Sequence, residues 1–533
     1  MVGIRSIRSG LLSIAALLAA LAVAPPARAD ISLSVDSTHP SHQISPLIYG
    51  LNYAPSGLAS ELGLPINRWG GNTTDTYNWR LGSYNTGNDY YYENIADCWN
   101  AADSWCGAGT NPPAYRSFIA TNRARGTDTL LTLPMLGRVA SNALLSHPFT
   151  CGFPSSVFPT QDSFDPYDSG CGNGRQSGNP LGADPSRDSI ASGPADNAAW
   201  IRDLVSRYGN ANATGVRYYE LGNEPALWNS THRDMHPQPV TYDELWTRSR
   251  NLAAAVKRTD PTALTIGPSE WGWPNYFCSA ADNVSQGCFA TSPDRAAHHG
   301  APIVPWLLRK MAAYERQRGV RLLDYLDLHY YAQGGNSPEV TRSLWDPTYT
   351  DPSWISDQIR LLPRMRGWIR NNYPGTKIAL SEYNLSVGDA ITNTLIQADT
   401  LGIFARENVG LATRWGLGND GDLYTDAFRM FRNYDGSGGR FGSRWLSSTS
   451  SDPSALSIYA GLRSGGGATI LVINKSSGAI NANLSLPEAS IRGNAQRFLW
   501  QGAGGIQASG AVNLGADTAL GFPARSMTLL VTG

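Results

Sequence analysis

Beyond residue 29 the chain has no stretch approaching the ~18 to 20 consecutive apolar residues that a membrane-spanning helix needs. It has no excess of charge of either sign: 42 Lys and Arg against 43 Asp and Glu leave a formal net charge of −1. Electrostatics therefore gives no reason to expect nucleic acid or an anionic membrane as partner, and a neutral ligand fits better. No Cys-x-x-Cys occurs, and His232 and His236 flank Arg233 where a metalloprotease helix would carry a glutamate, which argues against catalytic zinc. A sustained internal repeat, a long linker and a complete calcium-loop pattern are also missing.

What is present begins with an export signal. Residues 1–29 carry Arg5 and Arg8, an apolar run from Leu11 to Val23 and a small-x-small site ending at Ala29. This pattern reads as a secretory signal peptide and implies an extracellular or periplasmic protein. All six cysteines follow it, in three close couples: Cys98 with Cys106, Cys151 with Cys171, and Cys278 with Cys288. In an oxidising compartment this spacing predicts sequential local disulfides that staple long loops.

Strand patterns recur along the next part of the chain: Leu47–Asn52, Ile66–Asn72, Asp128–Gly137, Val216–Gly222, Leu264–Gly267, Leu326–Tyr331, Ile378–Glu382 and Gly410–Trp415. Helical patterns lie between them, at Ala198–Tyr208, Thr241–Arg258, Trp306–Arg318 and Ile355–Ile369, the last kinked or interrupted at Pro363. Eight strands alternating with helices predict an α/β fold, a (β/α)8 TIM barrel with long Gly-, Asn-, Asp- and Pro-rich insertions at about 73–125 and 138–195. From Leu446 the pattern changes to short alternating strands, as in a small antiparallel β-sandwich, which the N-terminal strand Ile31–Val35 would join. The expected organisation is a signal peptide over 1–29, an N-terminal strand over 30–45, a barrel over 46–440 and an all-β sandwich over 441–533, the sandwich being built from both chain termini.

Two of the barrel strands deliver a carboxylate to their C-terminal ends. Tyr218-Tyr219-Glu220-Leu221 runs into Gly222-Asn223-Glu224-Pro225, and Ile378-Ala379-Leu380 runs into Ser381-Glu382-Tyr383. Strands four and seven face each other across a closed barrel, so Glu224 and Glu382 could flank one bond at the mouth where loops converge. Such a pair suits glycoside hydrolysis, with one carboxyl protonating the leaving oxygen and the other meeting the developing positive charge on the sugar. Aromatic residues beside the strand ends, among them Trp69, Trp228, Trp271, Tyr331 and Trp415, could offer flat apolar plates to sugar rings.

The segments Arg68-Trp69-Gly70-Gly71-Asn72-Thr73, Tyr219 to Trp228, His329-Tyr330-Tyr331 and Ser381-Glu382-Tyr383-Asn384 resemble the motifs of glycoside hydrolase family 44, and the likeness spans nearly the whole exported chain. That family consists of endo-acting β-1,4-glucanases, often active on xyloglucan. The resemblance implies Glu224 as acid/base and Glu382 as nucleophile. Asn223 would hold the sugar 2-hydroxyl, Tyr331 would hydrogen-bond the nucleophile, and Arg68 would keep it ionised; Trp69, Trp228, Trp271, His329 and Trp415 complete the expected substrate-binding set. It implies no cofactor for the chemistry, although Glu93, Asp165 and Asp168 could ligate a structural calcium. A monomer acting on a polysaccharide is expected. Alternatives are a mannanase, xylanase or exo-glycosidase on the same barrel, or an inactive carbohydrate-binding protein that would need neither carboxylate.

Overall fold

Eight strands form the centre of the computed structural model, which describes residues 31–38, 42–97, 113–416 and 423–533. They are Gly50–Asn52 (β1), Ile66–Trp69 (β2), Asp128–Leu133 (β3), Tyr218–Leu221 (β4), Leu264–Glu270 (β5), Tyr325–Leu328 (β6), Lys377–Asn384 (β7) and Leu411–Arg414 (β8). Neighbours pair in parallel, and β6 with β7 and β8 with β1 complete the circle, so the predicted (β/α)8 barrel is closed. β6 breaks at His329 and resumes as Tyr330–Tyr331, which pairs with the far end of β7.

Strand alternation explains how the interior is layered. Ile66, Leu130, Tyr218, Ile266, Tyr325, Ala379 and Leu411 meet in an apolar cluster inside the barrel. Two residues further along, on the same face, stand Arg68, Thr132, Glu220, Asp327, Ser381 and Thr413, all buried. The barrel thus has an apolar floor with a layer of polar and charged groups above it, beneath the loops.

Helices fill the outer ring at Pro194–Tyr208, Tyr242–Thr259, Ile303–Arg318 and Ala390–Arg406. Thr241 caps the second of these by accepting from the Glu244 amide, the start signalled by its Thr-x-x-Glu spacing. The helix predicted from Ile355 is shorter and begins at Leu361, so Pro363 lies in its first turn, where an N–H would have no intrahelical partner. Ile355 and Ile359 pack against the core from outside any helix. The first predicted strand also differs: Pro46–Tyr49 is a 3-10 turn and only Gly50–Asn52 pairs. Among the described residues no helix is long and apolar enough to cross a membrane.

The strand Ile31–Asp36 joins the C-terminal sheet, lying antiparallel to Arg444–Ser450 and parallel to Ile480–Ser485, so the sandwich is not purely antiparallel. Its nine strands form one ladder with two apolar faces. Ile31, Leu33, Val35, Ile458, Ile470, Val472, Leu484 and Phe522 meet in a core of its own. On the other face, Tyr459, Leu471, Ile473, Trp500 and Met527 belong to the core of the barrel. At that joint the Asp399 carboxylate accepts from Ser457 and Tyr459 of the sheet and from Thr341, and it lies 3.0 Å from Lys475 Nζ, with both charged groups almost fully buried.

Disulfides join Cys151 to Cys171 and Cys278 to Cys288, as the spacing predicts. Cys98, Cys106 and the segment 1–29 lie outside the described residues.

Candidate active site

The loop after β4 is the most constrained stretch at the barrel mouth. Gly222 ends the strand at φ 74°, where a Cβ would come within 2.9 Å of Met135 and 3.2 Å of Asp75. Glu224 follows in the left-handed region at φ 45°, an uncommon conformation for a residue with a side chain. Its surroundings fix it there. Asp75, wholly buried, accepts from the Asn223 amide at 2.7 Å, the Met135 amide at 2.9 Å and the Trp228 indole at 2.8 Å. The Glu224 amide donates to Ser269 O at 3.0 Å. Burial pushes the Asp75 carboxyl up to about 6 despite these donors.

Glu224 and Glu382 meet over His329. Nδ1 of His329 stands 2.8 Å from Glu224 Oε1 and 3.5 Å from Glu382 Oε2. One oxygen of each glutamate and a ring nitrogen of His329 all lie within 4.8 Å of one another. Burial raises the Glu224 carboxyl above the ordinary range, with the nearby Glu382 charge adding to the effect and His329 opposing it. Although burial disfavours its cation, His329 is pushed up to about 9, because Glu382, Glu224 and Asp327 surround it with negative charge.

Glu382 is held from two sides. The Tyr331 hydroxyl donates to Oε2 at 2.6 Å and Arg68 Nη1 donates to Oε1 at 2.7 Å. Arg68 is completely buried, and its planar fork also reaches Glu220 Oε2 at 2.7 Å, Asn223 Oδ1 at 2.9 Å and Asn52 Oδ1 at 3.0 Å. Gly70 makes room for it, since a Cβ there would lie 2.2 Å from the guanidinium carbon. Burial opposes ionisation of Glu220, but Arg68 outweighs it and holds this carboxyl below its usual range. Asp327 is shifted the other way by burial and by the Glu220 charge. Ser381 Oγ lies 2.5 Å from an oxygen of each acid and ties the two carboxyls together.

Above these groups opens a cleft of about 560 Å³ lined by Tyr53, Trp69, Asn72, Tyr84, Trp271, Tyr331, Trp415 and both glutamates. The expected residues Trp69, Trp271, Tyr331 and Trp415 therefore face it. Others do not. Trp228 is 1% exposed, with its indole turned to Asp75 and Asn223 O, so it braces the loop from behind. Arg68 and His329 are fully buried beneath the carboxylates and offer a sugar no surface. Asn223 is 2% exposed, its amide engaged by Arg68 and by Asn72 Oδ1 at 3.1 Å. Glu220, Asp327, Ser381 and Asp75 take part without having been singled out in the sequence. For the first three the available signal was spacing, each lying two residues from an interior apolar position.

Away from the cleft, His147 Nδ1 lies 3.5 Å from Asp165 and 3.8 Å from Asp168, and Glu93 stands close enough to both acids to feel their charge. Both oxygens of Glu93 and one each of Asp165 and Asp168 are buried without a hydrogen-bond partner. Burial and the Asp165 charge push Glu93 up to about 8. Unpaired carboxylate oxygens of this kind suit a hard divalent cation.

The description "Glycoside hydrolase family 44" is that of the family model matching residues 83–334. Endoglucanase A of Paenibacillus lautus is 30% identical over 462 residues, covering 81% of this chain, and a beta-mannanase/endoglucanase A of Caldicellulosiruptor saccharolyticus is 30% identical over 474 residues with the same coverage. The chain spans 62% of the length of the first and 33% of the second. Among solved structures, CelM2, a bifunctional glucanase-xylanase from a metagenome library, superposes with a TM-score of 0.88 at 35% identity over 94% of this chain and 99% of its own. A Paenibacillus polymyxa xyloglucanase from family 44 gives 0.77 at 26% identity, over 95% of this chain and 100% of its own. With the matched family model spanning β3 to β6 and the likeness to CelM2 running nearly end to end, the chain belongs to glycoside hydrolase family 44.

Proposed function

We propose that the protein is an exported, retaining endo-β-1,4-glucanase that acts as a monomer on soluble β-glucans such as cellulose derivatives and xyloglucan. The observation that carries this reading is the close approach of Glu224 and Glu382 over His329, whose Nδ1 stands 2.8 Å from one and 3.5 Å from the other. Retaining enzymes hold their two carboxyl groups about 5 to 5.5 Å apart, whereas inverting ones leave room for an intervening water. Glu382, braced by Arg68 and Tyr331, attacks the anomeric carbon. The glycosidic C–O bond breaks as Glu224, kept protonated by its buried position, gives its proton to the departing oxygen. Glu224, now a carboxylate, takes a proton from water, the water oxygen bonds to the anomeric carbon, and Glu382 is released. Trp69, Trp271 and Trp415 supply apolar faces for the sugar rings along the cleft.

The names of the related proteins include glucanase, xylanase, mannanase and xyloglucanase activities. A panel of carboxymethyl cellulose, xyloglucan, xylan and mannan therefore tests the substrate assignment. Rapid loss of viscosity with β-configured new reducing ends by NMR is expected on the glucans; α-configured products, or monosaccharide release alone, would overturn it.

We further propose that Glu93, Asp165 and Asp168 hold a structural calcium, on the strength of their unpaired buried oxygens. Calcium would neutralise the cluster, and no catalytic step passes through it. Glu93 has a folded-state pKa raised to about 8, so without metal its contribution is fully present below its unfolded value near 4.3 and is lost as pH rises through about 8. Protons and calcium compete for the same oxygens. Calcium should therefore raise Tm by a few degrees at pH 8 and by much less at pH 5, with EGTA reversing it. Equal shifts at both pH values, or none in Glu93→Gln and wild type alike, would count against the site.

A further inference from the structure

A third glutamate stands beside the pair assigned to catalysis. Glu270 ends β5, next to the strand that carries Glu224, and is 2% exposed. Glu270 and the residue before it hold the neighbouring segments at three points. Its Oε2 accepts from the Ala226 amide at 3.4 Å, its backbone oxygen accepts from the His329 amide at 2.8 Å, and the preceding Ser269 oxygen accepts from the Glu224 amide at 3.0 Å. Ser269 itself has φ 60°, so two successive loops leave ordinary strand geometry where they meet, at Ser269 and at Glu224. Nothing in the scheme above makes Glu270 touch a sugar. Its side chain points at the turn that fixes where the Glu224 carboxyl sits.

We propose that Glu270 is a positioning residue for Glu224: the side chain of one and the main chain of both loops fasten the Asn223-Glu224-Pro225-Ala226 turn so that the Glu224 carboxyl meets the departing oxygen. This deepens the acid/base reading of Glu224 and rests on it. The environment keeps Glu270 neutral while it does so. Burial pushes its carboxyl up to about 8 and the Glu224 charge adds to this, against the Ala226 and Trp271 amides and the His329 cation. The other titratable groups coupled to the same corner are Tyr276, Asp327 and Glu382, of which Tyr276 donates from its hydroxyl to His329 O. A charged Glu270 would set a negative charge against the Glu224 carboxyl and His329; a neutral one accepts the Ala226 bond without that effect.

A residue that acts through the proton donor must reveal itself in leaving-group dependence, because acid assistance matters most when the departing oxygen is strongly basic. Glu270→Ala, which removes the acceptor, should lower kcat on a β-glucan by about 10- to 100-fold with little change in KM. On a dinitrophenyl glycoside, whose leaving group needs no proton, glycosylation should fall less than about threefold. Glu270→Gln keeps an acceptor oxygen in the same place and should recover most of the lost rate at pH 6. If Glu270→Ala does not fold, Glu270→Asp, which withdraws the carboxyl by one methylene, carries the same comparison. An equal loss on both substrates, or no recovery with glutamine, would overturn the proposal, since damage to packing alone does not distinguish leaving groups. Glu224→Gln assayed in parallel separates the two levels. If it shows no leaving-group dependence, the acid/base reading fails; if it does and the Glu270 variants do not, only the positioning role fails.

Discussion

Glu382→Gln is expected to abolish turnover on every glycoside, by about 10⁴-fold or more, because an amide oxygen cannot form the glycosyl ester on which both half-reactions depend. The loss should not depend on the leaving group. Glu224→Gln should behave otherwise: polysaccharide hydrolysis falls by at least ~10²- to 10⁴-fold, while an activated aryl glycoside still loads the enzyme. The second step then stalls for lack of a base, and azide, which needs none, should release a β-glycosyl azide. The Glu224 carboxyl is raised by burial and by Glu382, so the wild-type rate should hold toward neutral pH and fall on the alkaline side as that proton is lost. In Glu224→Gln this alkaline limb should vanish on activated substrates. A β-azide from the Glu382 variant, or near-wild-type rates in both variants, would reverse or remove the assigned roles.

Arg68→Met should lose both activity and stability, and a second substitution should separate the two losses. The guanidinium is the hub of the polar layer, bonded to Glu220, Glu382, Asn52 and Asn223. Removing it leaves the fully buried Glu220 carboxylate without its counter-charge, and breaking a buried pair in this way typically costs about 3 to 5 kcal/mol. Arg68→Met with Glu220→Gln removes both charges, so most of that stability should return. Activity should not, since Glu382 still lacks the donor at Oε1 and Asn223 the one at Oδ1. Arg68→Lys should also fail to restore turnover, because one ammonium cannot span acceptors arranged around a planar fork. Denaturant melts read beside kcat decide the matter: a double variant as unstable as the single one, or one with restored turnover, would contradict this account of Arg68.

The strand ends carrying Glu224 and Glu382 were legible because each follows a mostly apolar run, and Gly222 marks where the first run stops. The barrel was legible for a related reason, since strand and helix periods alternate along the chain. The charged layer was not. Glu220 sits inside Tyr218-Tyr219-Glu220-Leu221, where one acid among apolar neighbours reads as an exception, and only ring closure brings Arg68 from a strand some 150 residues earlier to meet it. Trp228 shows the opposite failure: an aromatic beside a catalytic motif suggests a sugar platform, but its indole N–H found Asp75 instead. Asp75 and Glu270 act through backbone amides of other loops, and such partners leave no trace in local spacing. The Ile355 stripe misled because apolar residues at helical intervals can pack equally well from an irregular loop.

The contact between Asp399 and Lys475 has an evolutionary consequence. Domains part readily when the seam between them is small, polar and wet. Here the seam is buried: Asp399 accepts from Ser457, Tyr459 and Thr341 as well as from the lysine, and Leu471, Ile473 and Met527 press on the same core as the barrel helices. A barrel inherited without its sheet would expose that apolar wall and strand a buried carboxylate, and a sheet inherited alone would do the same with an ammonium. Recombination that parts them at this joint therefore carries that cost, whichever piece it keeps.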